Sequence, residues 1–324
     1  MLLLLAASPG LPRKQQHTAL LPGNATDRRP AMVVYTAVLG SYERTLKEPA
    51  ACSDVPFIAY TDREDLKASD WPDGNEVPDG KSCWTVIPDA RTIAAKLDKT
   101  SGLVNSIDTH ASDFNVAKFF KCNPHALPEL ADFQYVVWID STVHVYDTLP
   151  VLLLKLQREE MMALTFEHDD PTRAGLLEEE KKASLYDKYV GNEFQNEQPI
   201  ESEYRRYLDE GFREKWWANS TDLGQLGACP QGERCGMWLT CLLAWNMKHP
   251  KTLGFLADWS AAWSGGITQD QVTFPYVAWK QQVLPYTLPD EEIVGDGNNN
   301  SLYLKLEHGR NREVNVMGEA LAAL

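Results

Sequence analysis

Five consecutive apolar residues, Tyr135-Val136-Val137-Trp138-Ile139, run straight into a carboxylate at Asp140. An unalternating, β-branched run of this length reads as a strand buried on both faces, and sheets covered on both faces are the parallel sheets of α/β proteins. Met32 to Leu39, ending at Gly40, repeats the pattern, as does Pro56 to Tyr60, ending in Thr61-Asp62. Trp84 to Ile87 and Met161 to Phe166 read as further strands, the second followed by Glu167-His168-Asp169-Asp170. Ser112 caps a helix carrying Phe114, Ala117, Phe119 and Phe120 that ends before Asn123-Pro124. Other helical stretches are expected over 150–158, 174–189, 201–216, 250–263 and 270–281. Strands alternating with helices predict an α/β fold with a mostly parallel central sheet flanked by helices.

The organisation follows from where this pattern starts and stops. Residues 1–30 mix Pro, Gly, Arg and Asn without a period and read as a flexible leader, 31–289 as one domain, and 290–324 as a tail. The tail holds a Gly-Asn-rich loop, a short strand at 302–306 and an Ala-rich helix. A net charge of −15 opposes a nucleic-acid surface. The longest apolar run, Met1 to Ala7, falls far short of the roughly 20 residues of a membrane-spanning helix, so no transmembrane segment is expected. Sequons at Asn24, Asn219 and Asn299 lean toward the secretory pathway, with a cytoplasmic location as the alternative. The six cysteines form no C-x-x-C pair; Cys229 and Cys235 bracket a turn that could close a disulfide loop, or all six are ordinary thiols.

Ligands of open α/β sheets bind outside the carboxyl ends of the strands, so the polar residues there are the first candidates. They are Gly40 with Tyr42 and Arg44, then Asp62, Asp140, and His168 among its acidic neighbours. Asp140 is positioned to hold a divalent ion, Mn or Mg, that would neutralise a diphosphate; Thr142 stands where a second carboxylate would complete the pair. Lys118 sits on a largely apolar helix face and could reach a phosphate, or simply extend to solvent. The acids around His168 would hold it cationic or make it a metal ligand. Gln269-Asp270-Gln271 follows the turn glycines Gly265 and Gly266 and opens a helix. Asp270 is therefore expected either as a dipole-favoured first-turn acid or as a cleft carboxylate that takes an acceptor proton, about one sugar ring away from Asp140.

Several blocks in order resemble a known family: Thr36-Ala37-Val38-Leu39-Gly40-Ser41-Tyr42, Phe57-Ile58-Ala59-Tyr60-Thr61-Asp62, Ala117-Lys118 with Pro124-His125, Val137-Trp138-Ile139-Asp140, and Gln269 to Tyr276. Together they resemble the glycosyltransferase-like domain of plant turgor-regulation and seed-mucilage proteins, formerly a domain of unknown function, over roughly residues 32–284. The resemblance implies a single GT-A-like, Rossmann-like domain that binds a nucleotide-sugar donor and acts on a glycan acceptor in the Golgi lumen during polysaccharide biosynthesis. It implies donor binding by Gly40, Tyr42, Asp62, Lys118 and His125, acceptor binding by Gln269 and Gln271, catalysis by Asp270 and metal at Asp140; Arg44 and His168, outside those blocks, are expected from their strand-end places to bind donor and to take part in catalysis. Asn115 and Thr142 stand where the family carries basic residues, and Glu43 where it carries Asp. Diphosphate charge would then fall to Lys118, Lys121, Arg44, Arg173 or the metal.

The expected activity is hexosyl or pentosyl transfer from a nucleotide-diphosphate sugar. Two other classes stay open. One is a metal-dependent hydrolase gathering an ion with Asp140, His125, His144 and His168; the other is a catalytically silent sugar-binding module.

Overall fold

The computed structural model describes residues 31–40, 45–49, 55–69, 82–100, 112–141, 143–145, 163–167, 200–214, 216, 238–263, 270–288 and 303–305. A seven-stranded sheet forms its centre. In chain order the strands are β1 (Met32–Val38), β2 (Thr45–Lys47), β3 (Phe57–Thr61), β4 (Lys67–Ser69), β5 (Trp84–Ile87), β6 (Tyr135–Ile139), β7 (Val143–Val145), β8 (Ala163–Glu167), β9 (Trp238–Asn246), β10 (Tyr286–Leu288) and β11 (Tyr303–Lys305). The helices are α1 (Ala90–Thr100), α2 (Asp113–Cys122), α3 (Ile200–Asp209), α4 (Thr252–Trp263) and α5 (Asp270–Gln281). The central order is β10-β8-β9-β6-β1-β3-β5, with β2-β4 and β7-β11 as separate pairs. Only β9 opposes the rest of the central sheet, pairing antiparallel with both β6 and β8. The fold is thus the expected mostly parallel α/β sheet flanked by helices.

Period-2 geometry sorts the strand residues into two cores. Val33, Tyr35 and Ala37 of β1, Ile58 and Tyr60 of β3, and Val136 and Trp138 of β6 face the helices. Their neighbours Met32, Val34 and Val38, Phe57 and Ala59, and Tyr135, Val137 and Ile139 pack on the other side against Leu46, Val143 and Val145. Every residue of β1, β3 and β6 is consequently buried, which is why the sequence shows runs rather than alternation. The helical side is dense in rings: Phe274 of α5 meets Trp238, Trp245, Phe255 and Trp259 at centroid distances of 5.8, 6.4, 5.2 and 5.1 Å. Such tilted and edge-on pairs each contribute about 0.5–1.5 kcal/mol beyond area burial.

Helix α2 has the cap its sequence requires. The Ser112 hydroxyl accepts from the Asn115 N–H at 3.2 Å, and at the other end Asn123 N–H donates to the Phe119 carbonyl. Tyr35 Oη donates toward the carbonyls of Phe120 and Lys121 at 3.3 and 3.4 Å, satisfying acceptors that a helix terminus leaves without partners. The helices over 150–158 and 174–189, and the pair Cys229/Cys235, fall outside the described residues. The helix expected over 201–216 ends at Asp209, and Gly211, at φ +100°, carries the chain out of it. No helix among the described residues is long and apolar enough to cross a membrane.

Candidate functional site

The central strand order reverses direction of growth between β1 and β6: β3 and β5 extend one side, β9, β8 and β10 the other. In open α/β sheets ligands bind outside the carboxyl ends of the strands at such a reversal. Gly40 lies just beyond the end of β1, Asp62 directly after β3, and Asp140 directly after β6. Two charged clusters occupy this edge, and α2 contributes to both.

The first cluster surrounds Asp62. Its Oδ1 accepts from the Gly40 N–H at 2.9 Å and its Oδ2 from Arg91 Nε at 2.8 Å. Arg91 also pairs with Asp113 in the first turn of α2, where a carboxylate is favoured by the helix dipole. Gly40 has φ +60°, and a Cβ there would collide with the Asp113 carboxylate. The position needs glycine for conformation and for space alike. Arg91 was not identified from sequence. It belongs to α1, whose buried Ala90, Ala94 and Ala95 mark a shallow apolar stripe that small residues make easy to overlook.

The second cluster is built by four elements. Lys121 of α2 is 1% exposed, and so is the Asp270 carboxylate at the start of α5. The Lys121 ammonium lies 2.7 Å from Asp270 Oδ2 and 3.5 Å from Asp140 Oδ1, and it donates to Thr240 Oγ1 of β9 at 2.9 Å. Thr240 in turn donates to Asp270 Oδ2 at 2.6 Å, and Lys118, one turn before Lys121, pairs with Asp270 Oδ1. Trp138 Nε1 donates to Asp140 Oδ1 at 2.8 Å, while the Lys121 ammonium sits 5.7 Å from the Trp138 ring centroid. A register irregularity in the β8–β9 pairing between Leu164 and Phe166 lets Cys241 and Leu242 both join the far core, while Thr240 points to the helical side. Bulges re-aim side chains in this way.

Charge in the second cluster is balanced: two ammonium groups face two carboxylates. Burial alone would push the carboxyl of Asp270 upward, but Lys118 and Lys121 outweigh it and hold the group well below the usual carboxylate range. Asp140 is lowered in the same way, Lys121 and then Lys118 overcoming its desolvation. Burial would lower Lys121, yet Asp140 and Asp270 raise it above an ordinary lysine. Asp270, Asp140 and Lys121 are therefore ionised at neutral pH. Only Asp140, 34% exposed, and Lys118, 18% exposed, have appreciable contact with solvent.

Two sequence expectations are corrected by this geometry. Asp270 does not stand a sugar ring away from Asp140: both carboxylates touch one ammonium group. Lys118, Lys121 and Thr240 lie on its oxygens, and its affinity for protons is lowered. Asp140, in turn, does not fit a divalent ion. Hard cations take six or more oxygen ligands or waters, whereas Asp140 already shares Oδ1 with Trp138 and Lys121. A cation on Asp140 would also stand beside the Lys121 ammonium, 3.5 Å from Oδ1, and be repelled by it. No group of three His, Cys, Asp or Glu side chains gathers among the described residues.

The remaining candidates divide. His125 lies in a 3-10 turn, Pro124–Ala126, with its Nδ1 buried and without a hydrogen-bond partner among the described residues; burial lowers its pKa and keeps the ring neutral. Gln271, the second residue of α5, has its Nε2 3.5 Å from the Trp238 carbonyl. Tyr42, Arg44, Arg173, His168 and Gln269, together with the His144 side chain, lie outside the described residues.

No protein-family model and no curated protein sequence matches the chain. Among solved structures it is similar to mouse xyloside xylosyltransferase 1 in its apo form, at 10% identity and a TM-score of 0.39, covering 79% of this chain and 84% of that one. It is also similar to the bifunctional glycosyltransferase WbbM, at 14% identity and 0.40, over 87% of this chain and 42% of that chain. A third is core-mannan synthase A from Aspergillus fumigatus in a Mn/GDP form, at 12% identity and 0.32, over 82% and 73%.

Proposed function

We propose that the chain is a glycosyltransferase that moves a sugar from a nucleotide-diphosphate donor to a glycan hydroxyl. The observation that carries this reading is the convergence of Gly40, Asp62, Asp140 and the α2 lysines on the crevice where the strand order reverses, the place at which α/β sheets take nucleotides. In this reading Asp62, oriented by Gly40 and Arg91, faces the nucleoside. Lys118 meets the diphosphate as a point charge. Asp140, ionised and partly exposed, accepts hydrogen bonds from donor-sugar hydroxyls and holds the ring where the glycosidic bond breaks. The leaving diphosphate carries away the bonding electron pair, and the attacking hydroxyl loses its proton to a group other than Asp270.

Turnover of UDP- and GDP-sugars with and without oligosaccharide acceptors tests the assignment. One donor should release its nucleoside diphosphate, and Asp140→Asn should lower kcat by about 10²-fold or more, the scale of losing one charge-stabilising contact. Absence of turnover with tight donor binding would favour the silent sugar-binding module, a reading that the saturated Asp270 supports. Failure of any nucleotide to bind would remove the donor site.

The protein is further proposed to work in the secretory pathway, in the Golgi lumen. Cys83 is disulfide-bonded, and such bonds persist in oxidising compartments. A glycan on the chain secreted from cultured cells, removed by an Asn-glycan hydrolase, is the expected result; an unglycosylated cytoplasmic product would contradict it.

A further inference from the structure

The donor reading requires positive charge beside Asp140, and the fold already supplies it. We propose that the Lys121 ammonium stands in for a divalent cation at Asp140, so that the site binds the diphosphate of its donor without metal and uses Lys118 as the exchangeable cation. This inference rests on the donor reading above and deepens it.

Three oxygens from three elements surround the Lys121 ammonium: Asp270 at 2.7 Å, Thr240 at 2.9 Å and Asp140 at 3.5 Å. Asp270 and Thr240 take two of the ammonium's three N–H donors, Asp140 faces it as an ionic partner, and burial keeps competing water away. The Trp138 ring lies beside it, its centroid 5.7 Å from the ammonium. Asp140 Oδ1 is thereby held by Lys121 and Trp138 while the side chain stays 34% exposed, which is the service a metal would otherwise perform.

Lys118 differs from Lys121 in one respect that matters. Its side chain is 18% exposed, and its partner Asp270 is also held by Lys121 and Thr240. Lys118 can therefore leave Asp270 for a phosphate oxygen without stranding a buried carboxylate, whereas Lys121, 1% exposed, is enclosed. The resting cluster is neutral, two positive against two negative, so a diphosphate that recruits Lys118 binds one positive charge already on the helix. A divalent ion would add two further positive charges beside the fixed ammonium.

The test uses the full chain freed of metal with EDTA. Calorimetric titration with UDP and with GDP, in EDTA and then in manganese, measures donor-site affinity, and manganese electron paramagnetic resonance without nucleotide counts bound ions. Wild-type affinity for the preferred nucleotide should agree within about twofold between the two buffers, and Lys118→Met should lower it about tenfold or more in both, the scale of a charge-assisted contact. Any bound manganese should be the same in wild type and Asp140→Asn. One manganese per chain that Asp140→Asn removes, with nucleotide affinity dropping tenfold in EDTA, would overturn the inference and leave the donor reading intact. Unchanged nucleotide affinity in Lys118→Met would overturn the role given to Lys118. No nucleotide binding in either buffer would overturn the donor reading and this inference together. Lys121→Met is avoided as the deciding variant, since loss of the buried cation is expected to impair folding.

Discussion

Lys121 is the residue on which the most depends. Both it and Asp270 are 1% exposed, and removing one member of a buried pair strands the other, at a cost of about 3–5 kcal/mol. Because Lys118 still meets Asp270, Lys121→Met should lower unfolding free energy by at most that amount in urea titration, with Asp270→Asn also destabilising. Adding Asp270→Asn to Lys121→Met should cost less than the sum of the two, because the doubly substituted site holds no stranded charge and Lys118 can turn to solvent; a coupling of at least about 1 kcal/mol is expected. Strict additivity would mean that the two groups do not share an interaction. A second residue-scale prediction concerns Gly40. Left-handed backbone costs a residue with a Cβ roughly 1–2 kcal/mol, and the added methyl also strikes Asp113. Gly40→Ala should lose about 1–3 kcal/mol, and Asp113→Ala in that background should restore the steric part while leaving the conformational part.

At the scale of elements, legibility followed the clarity of each local signal. Strand β6 and helix α2 could be read to their boundaries because a bare apolar run and a Ser cap with a terminal Asn-Pro admit few alternatives. Strand β9 could not, since Trp238 to Asn246 is apolar on every side and periodicity does not separate a doubly buried strand from a buried helix. The carboxylates at strand ends were legible as candidates because strands end there. Their partners were not: Lys118 meets Asp270 across 152 residues and Lys121 meets Thr240 across 119, and no local spacing encodes such contacts. The place of Asp140 at a strand end suggested a metal, whereas tertiary packing supplied a lysine. Helix α5 carries a checkable consequence of its own. Lys251, just before α4, donates to the terminal carbonyls of Gln281 and Gln282 at 3.2 and 3.3 Å, joining the start of one helix to the end of the next. Because this contact is exposed, Lys251→Ala should cost less than about 1 kcal/mol, a small shift in urea midpoint that separates it from the large loss at Lys121.

For the whole molecule, stability against pH joins these local states. Asp270 has a folded pKa below its unfolded value, so its contribution is full above the ordinary carboxylate pKa of about 4 and is lost as pH falls further. Lys121 has a folded pKa above its unfolded value, so its contribution is full below about 10.4 and is lost as pH rises beyond. The cluster alone would leave a plateau between those limits. His125 breaks the plateau, because burial lowers its folded pKa: the unfolded chain takes up a proton near pH 6.5 while the folded chain resists it, so stability falls as pH drops below about 6.5. The net charge of −15 works the other way, since protonation toward the isoelectric point near 4.9 relieves self-repulsion. Urea midpoints measured from pH 8 to 5 separate the two, because the global charge term is nearly unchanged by one substitution. His125→Gln should flatten the decline below pH 6.5 relative to wild type, and Asp270→Asn should leave that segment alone while removing its share of the loss below pH 4. Parallel wild-type and His125→Gln profiles between pH 5 and 6.5 would show that this histidine folds with its proton affinity unchanged, and the neutral buried state assigned to it would be wrong.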